Sequence, residues 1–135
     1  MDKIIEIIYN SETENWQLKT EDLFTKKDNH FTIFLNFLSD KDIFVDVTGY
    51  TIFFTVKEDL EDTDGVSAST ALIEKDITSL SDPVNGEAKI ELTNIDLNFS
   101  GNYIYSIKLK TDDDKLYTVC EGLFYVSEDV TSRNS

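Results

Sequence analysis

Apolar and polar positions alternate with a period of two along most of the chain, the pattern of strands with one buried and one wet face. Phe31, Ile33, Leu35 and Phe37 form one such row, and Ile43, Val45 and Val47 prolong it after the charged break Asp40-Lys41-Asp42. Beyond Thr48-Gly49, Ile52, Phe54 and Val56 face one way while Thr51, Thr55 and Lys57 face the other. Alternation returns at Ala71, Ile73, Lys75 and Ile77, and again at Ala88, Ile90 and Leu92 between charged neighbours. Ser81-Asp82-Pro83-Val84-Asn85-Gly86 between these two stretches reads as a tight turn joining a hairpin, with Asn-Gly supplying positive φ. Tyr103, Tyr105, Ile107 and Leu109 make another inward row, and the acidic tip Thr111 to Lys115 leads into a last strand, Leu116 to Val126. The alternation slips at Gly122, which predicts a bulge there.

About seven or eight short strands with regularly spaced turn signals predict an all-β fold: an immunoglobulin-like antiparallel β-sandwich over residues 30–131. In Asp96-Leu97-Asn98-Phe99-Ser100-Gly101-Asn102-Tyr103 an aspartate precedes Gly-x-Tyr at the start of a strong strand, which reads as a structural tyrosine corner made by Asp96, Gly101 and Tyr103. Tyr105 stands where antibody domains place the second cysteine of their disulfide, so the sandwich is expected to be disulfide-free.

Residues 1–29 fit this pattern least. They are expected to supply an N-terminal strand, Lys3 to Ile8, and an arm with at most a short helical turn between Glu12 and Lys26. The arm holds the single tryptophan, Trp16, with Leu18, Leu23 and Phe24 among charges. Two readings are open. The four side chains are assembly contacts that dock on a neighbouring subunit, or the arm folds back and Trp16 covers the open end of its own sandwich. Residues 132–135 read as a polar tail.

Composition narrows the function more than it defines it. The chain of 135 residues carries 27 acidic against 12 basic residues, a formal net charge of −15. A field of that sign repels phosphate backbones and anionic lipid, so neither nucleic acid nor membrane is an expected partner. Acid interrupts the first apolar stretch at once, which fits neither a secretory leader nor a membrane span, and synthesis in a cytoplasm is expected.

Candidate chemistry is sparse. His30 and Cys120 are single representatives of their types and fall in predicted strands with no evident partner. There is no glycine-rich phosphate loop, nucleophile elbow or zinc spacing, so no catalytic residue, cofactor or metal site is assigned and an enzyme is not expected. The run Glu58 to Gly65 imitates a calcium loop, but aligning Gly65 with the obligatory glycine puts Leu60 at the first ligand position and Ala71 at the last. A looser cation site there, or at Asp112, Asp113 and Asp114, competes with the plainer reading of solvated acidic loops.

A resemblance adds what composition cannot. The succession Asp46-Val47-Thr48-Gly49-Tyr50-Thr51-Ile52-Phe53-Phe54-Thr55-Val56-Lys57, Asn85-Gly86-Glu87-Ala88, Leu92-Thr93 to Asp96, Gly101-Asn102-Tyr103-Ile104-Tyr105 and Gly122-Leu123-Phe124-Tyr125-Val126 resembles small virion proteins of tailed bacteriophages. It is similar in style to the immunoglobulin-like N-terminal domain of phage baseplate upper proteins, over about His30 to Thr131. The resemblance implies a structural part of a phage particle, made in the host cytoplasm and carried in the virion, with other virion proteins as partners and several copies or a homo-oligomer in the assembly. It brings no catalytic residues. The sequence ends at Ser135 without the helical and receptor-binding-protein-attaching regions of those proteins, so a head accessory, collar or tail component is expected as readily as a baseplate one. The alternative is a carbohydrate or host-surface binding module presenting Tyr50, Phe53, Tyr117 and Tyr125.

Overall fold

A computed structural model describes residues 2–58 and 71–128. Within them the chain is an all-β, immunoglobulin-like sandwich of two sheets, built from ten strand segments. These are β1 (Asp2–Asn10), β2 (Asn15–Trp16), β3 (Lys19–Thr20), β4 (Leu23–Lys26), β5 (Phe31–Ser39), β6 (Thr51–Lys57), β7 (Ile73–Ile77), β8 (Glu87–Leu92), β9 (Gly101–Lys110) and β10 (Leu116–Ser127). The first sheet runs β2-β1-β5-β8. The second runs β3-β10-β9-β6-β7, with β4 also on β10.

The alternating rows meet between the sheets. Phe31, Ile33, Leu35 and Phe37 of β5 and Ala88, Ile90 and Leu92 of β8 face Ile52, Phe54 and Val56 of β6, Ile107 and Leu109 of β9, and Phe124 and Val126 of β10, all buried. Phe54, Tyr105 and Phe124 form an aromatic cluster with ring centroids 6.0 to 6.3 Å apart.

The N-terminal segment is part of this sandwich and not an appended arm. β1 lies inside the first sheet, parallel to β5 from Asp2↔Thr32 to Tyr9↔Ser39, and no helical turn forms between Glu12 and Lys26. The chain turns back at β2, then crosses to the other sheet, where β3 and β4 run parallel to β10. Three of the ladders, β1 on β5, β3 on β10 and β4 on β10, are therefore parallel, where an antiparallel sandwich was expected. For β3 and β4 the cause is the crossing: a strand that leaves one sheet and joins the edge of the other arrives running alongside β10.

Trp16 is 7% exposed and lies in the core among Tyr9, Phe37 and Tyr50, with ring centroids 5.1, 5.6 and 6.4 Å away. Leu23 is 1% exposed. Of the two readings of Trp16, the structure has the second: burying the largest apolar side chain against three aromatic rings of its own domain leaves nothing of it for a neighbour.

Three local expectations are also corrected. The turn Pro83–Asn85, closed by Gly86 at φ 71°, does not make a hairpin, because β7 and β8 belong to different sheets and the turn carries the chain from one to the other. Ile43 to Val47 does not prolong β5. The chain turns at Asp42 (φ 63°), and Phe44 makes only an isolated bridge with Leu38. The bulge in β10 lies between Thr118 and Cys120, where Val119 and Cys120 are buried in succession, and not at Gly122. The calcium-like run from Asp59 onward and the tail at 132–135 lie outside the described residues.

Phe54→Ala and Trp16→Ala are each expected to cost about 3–5 kcal/mol in urea unfolding, as for large core aromatics elsewhere. The Thr25 hydroxyl is buried without a partner among the described residues, so Thr25→Val is expected to stabilise by about 1 kcal/mol in the same measurement.

Candidate functional site: the outer face of the second sheet

The crossing segment decides what the second sheet shows to solvent. Period-two alternation from Leu18 to Thr25 turns Leu23 and Thr25 inward and leaves Leu18, Thr20, Asp22 and Phe24 exposed. The four side chains singled out in the sequence thus divide: Trp16 and Leu23 are core, while Leu18 is 53% and Phe24 61% exposed. Phe24 stacks on Tyr125 with centroids 4.9 Å apart and planes at 11°. Along β10, Tyr125 and Leu123 lie on one face, and Leu123 is in register with Ile104, which is in register with Lys57. Phe24, Tyr125, Leu123 and Ile104 form a continuous apolar surface across three strands.

An open groove of about 320 Å³ adjoins it, lined by Thr20, Asp22, Thr55, Lys57, Ile104, Glu121 and Leu123 among others. Its wall on the β3 side is fixed by backbone chemistry. The Lys19–Thr20 strand pairs with Cys120 and Glu121, the Glu21 amide donates to the Glu121 carbonyl (3.0 Å), and the Leu123 amide donates to the Asp22 carboxylate (3.1 Å). The Glu21 carbonyl turns under Gly122 and accepts the Tyr105 hydroxyl, which also lies 3.2 Å from Cys120 Sγ. A Cβ at position 122 would collide with that carbonyl, so glycine is needed here for close approach of two backbones. A glycine inside a strand marks either a bulge or a close backbone approach, and Gly122 marks the second.

Elsewhere the named residues do not converge. Cys120 is buried on β10, where burial pushes its thiol pKa up, and burial likewise raises that of Tyr105. His30 is exposed ahead of β5, in the other sheet. At the acidic tip Asp113 accepts the Thr111 hydroxyl, and Lys110 and Lys115 pair with Asp114 and Asp113. Among the described residues no group of three or more His, Cys, Asp or Glu is placed to hold a metal ion. No helix there is long and apolar enough to cross a membrane. Of the aromatics considered for sugar binding, Tyr50 and Tyr117 pack against the core, Tyr125 is stacked under Phe24, and Phe53 faces outward beside Lys108.

Tyr103 donates its hydroxyl to the Ser100 carbonyl (2.6 Å), bonding back to the loop that precedes β9, with Phe99 edge-on at 4.9 Å. Gly101, at φ 136°, leaves the space that ring occupies. Asp96 takes other partners: the Thr93 amide (2.8 Å) and hydroxyl and the Lys75 ammonium (3.0 Å). Burial raises its pKa, but the Thr93 amide and Lys75 outweigh that and hold it below the ordinary aspartate value.

No family model and no curated protein matches the chain. Among solved structures it is similar to the N-terminal domain of ORF48 of phage TP901-1, with 14% identity over 93% of this chain and 98% of that one and a TM-score of 0.49. It is also similar to auracyanin A, a blue copper protein of the green thermophilic photosynthetic bacterium Chloroflexus aurantiacus (13% identity, 94% and 100% covered, TM-score 0.43), and to murine CRIg (12%, 81% and 92%, 0.38).

Gly122→Ala is expected to lower stability by about 1–3 kcal/mol, because the crossing segment at Glu21 or β10 must shift. Tyr103→Phe is expected to cost about 1 kcal/mol, the size of one hydrogen bond. A carboxylate whose pKa is depressed on folding contributes stability above its unfolded value and loses it as pH falls towards the folded value. Asp96→Asn should therefore lower the melting temperature at pH 7, and its difference from the parent should shrink as pH drops below about 4.

Proposed function

We propose that the chain is a non-enzymatic structural or accessory subunit of a tailed-phage particle, present in several copies and acting through contacts with other virion proteins. The observation that carries the reading is the outer face of the second sheet. Phe24, Tyr125, Leu123 and Ile104 lie side by side on regular strands, where an interface and not the core gains from apolar side chains. The virion-protein resemblance in the sequence supports the same reading. Its Gly101-Asn102-Tyr103-Ile104-Tyr105 and Gly122-Leu123-Phe124-Tyr125-Val126 stretches are neighbouring strands, and both contribute to this face.

In this reading no catalysis is involved. A rigid sheet presents a preformed apolar surface, so little conformational freedom is lost on docking, while the net charge of −15 keeps unassembled copies apart. Head accessory, collar, tail and baseplate positions differ in copy number, which makes stoichiometry the informative quantity.

Quantitative mass spectrometry of purified virions should find the chain at a fixed ratio to the major capsid protein, and its absence from washed particles would refute the assignment. Phe24→Ser should lower incorporation about tenfold or more with little change in melting temperature, since Phe24 is 61% exposed.

A further inference from the structure

The groove beside the apolar surface carries more acid than base in its lining. Asp22 and Glu121 line it against Lys57. The row crossing the sheet through Glu121, Ser106 and Thr55 ends in a third carboxylate, Glu74, because Glu121 is in register with Ser106, Ser106 with Thr55, and Thr55 with Glu74. None of these carboxylates takes part in an ion pair within 4 Å among the described residues, although five other lysines do. Asp22 accepts the Leu123 amide through one oxygen, and its other oxygen takes no hydrogen bond among the described residues. Ile104 and Leu123 supply an apolar floor in the next row.

We propose that this groove takes a lysine or arginine side chain, flanked by apolar residues, from a partner protein. Its methylene stem lies over Ile104 and Leu123, and its cationic head meets Glu121 and Asp22. Long cationic side chains bury their stems on apolar surface and keep their heads at a polar rim, which is the division of chemistry found here. A second copy of this chain is disfavoured as occupant, because it carries a net charge of −15 and would bring two carboxylates for each lysine of the groove against the same set. The inference rests on the outer face being the docking surface proposed above, and specifies what docks there.

The test is an amide chemical-shift titration of the isotopically labelled chain with two peptides, acetyl-Leu-Arg-Leu-Arg-Leu-amide and its counterpart with glutamate in place of arginine. The arginine peptide should give saturable shifts centred on Ile104, Ser106, Glu121 and Leu123, and the glutamate peptide none. Glu121→Lys, an exposed substitution checked by an otherwise unchanged spectrum, should weaken binding about tenfold, and raising salt to about 0.5 M should weaken it further. Leu123→Ser should weaken it separately, through the stem.

The proposal is overturned by equal binding of both peptides, by arginine-peptide shifts centred on the acidic tip at 112–114, by no saturable shift, or by a dimer formed through this face in sedimentation equilibrium. The two proposals fail separately. Groove binding by a chain absent from virions would defeat the assembly reading alone. A chain incorporated into virions whose groove ignores the arginine peptide would defeat the cation site alone.

Discussion

The segment from Trp16 to Leu23, which leaves one sheet and runs along the edge of the other, is the constraint on which the rest of the molecule depends. Two sheets packed face to face need something to fix their relative position besides apolar contact, which is non-directional. Here a covalent strap does so. Its upstream end is held by Trp16 in the first half of the core, and its downstream end by the parallel ladder of β4 on β10. Between them the Glu21 carbonyl sits on Gly122 and takes the Tyr105 hydroxyl, so the polar backbone of the crossing is satisfied at the margin of the core. Lys3 reaches Glu21 from β1 at 2.6 Å, tying the strap to the strand it has left.

Because the strap is fixed, so is the surface it displays. A residue at an even position from Leu18 to Phe24 faces water for the same reason that Leu23 faces the core, and Asp22 is held in place by the Leu123 amide. The apolar surface and the groove are thus consequences of the crossing and not separate features added to a finished sandwich. This is the sense in which the fold positions the site: the strap's side chains complete a face that β9 and β10 begin.

The sequence made the interior strands legible and the strap illegible, for physical reasons. β5, β6, β8, β9 and β10 each run six residues or more with one buried and one wet face, so their period shows without knowledge of their partners. β2 and β3 have two residues each, shorter than any period can be read from. Parallel pairing adds to the difficulty, since it has no local turn to announce it, unlike the hairpin of β9 and β10 around Thr111 to Lys115. Trp16, set among Glu12, Glu14 and Lys19, gave no sign of which way it would turn until the cavity formed by Tyr9, Phe37 and Tyr50 was known. Of the candidate surface, Phe24 and Leu18 were visible in advance, while Ile104, Leu123 and Glu121 were not, because residues on the wet side of a strand leave no mark on its hydrophobic pattern.

The ladder between β4 and β10 also orders events in time. The Asp22 to Leu123 bond spans 101 residues of sequence, and the parallel partners of β4 are just as distant. Contacts of that separation form late and slowly, after local hairpins such as β9–β10 have closed. During synthesis, Trp16 and Leu23 leave the ribosome long before the strand that covers the strap exists, and the first sheet can assemble around β5 while the crossing waits unpaired. The outer face is therefore among the last surfaces to exist. A partner that recognised it would meet only chains that have finished folding, and docking there would carry its own checkpoint without a dedicated device.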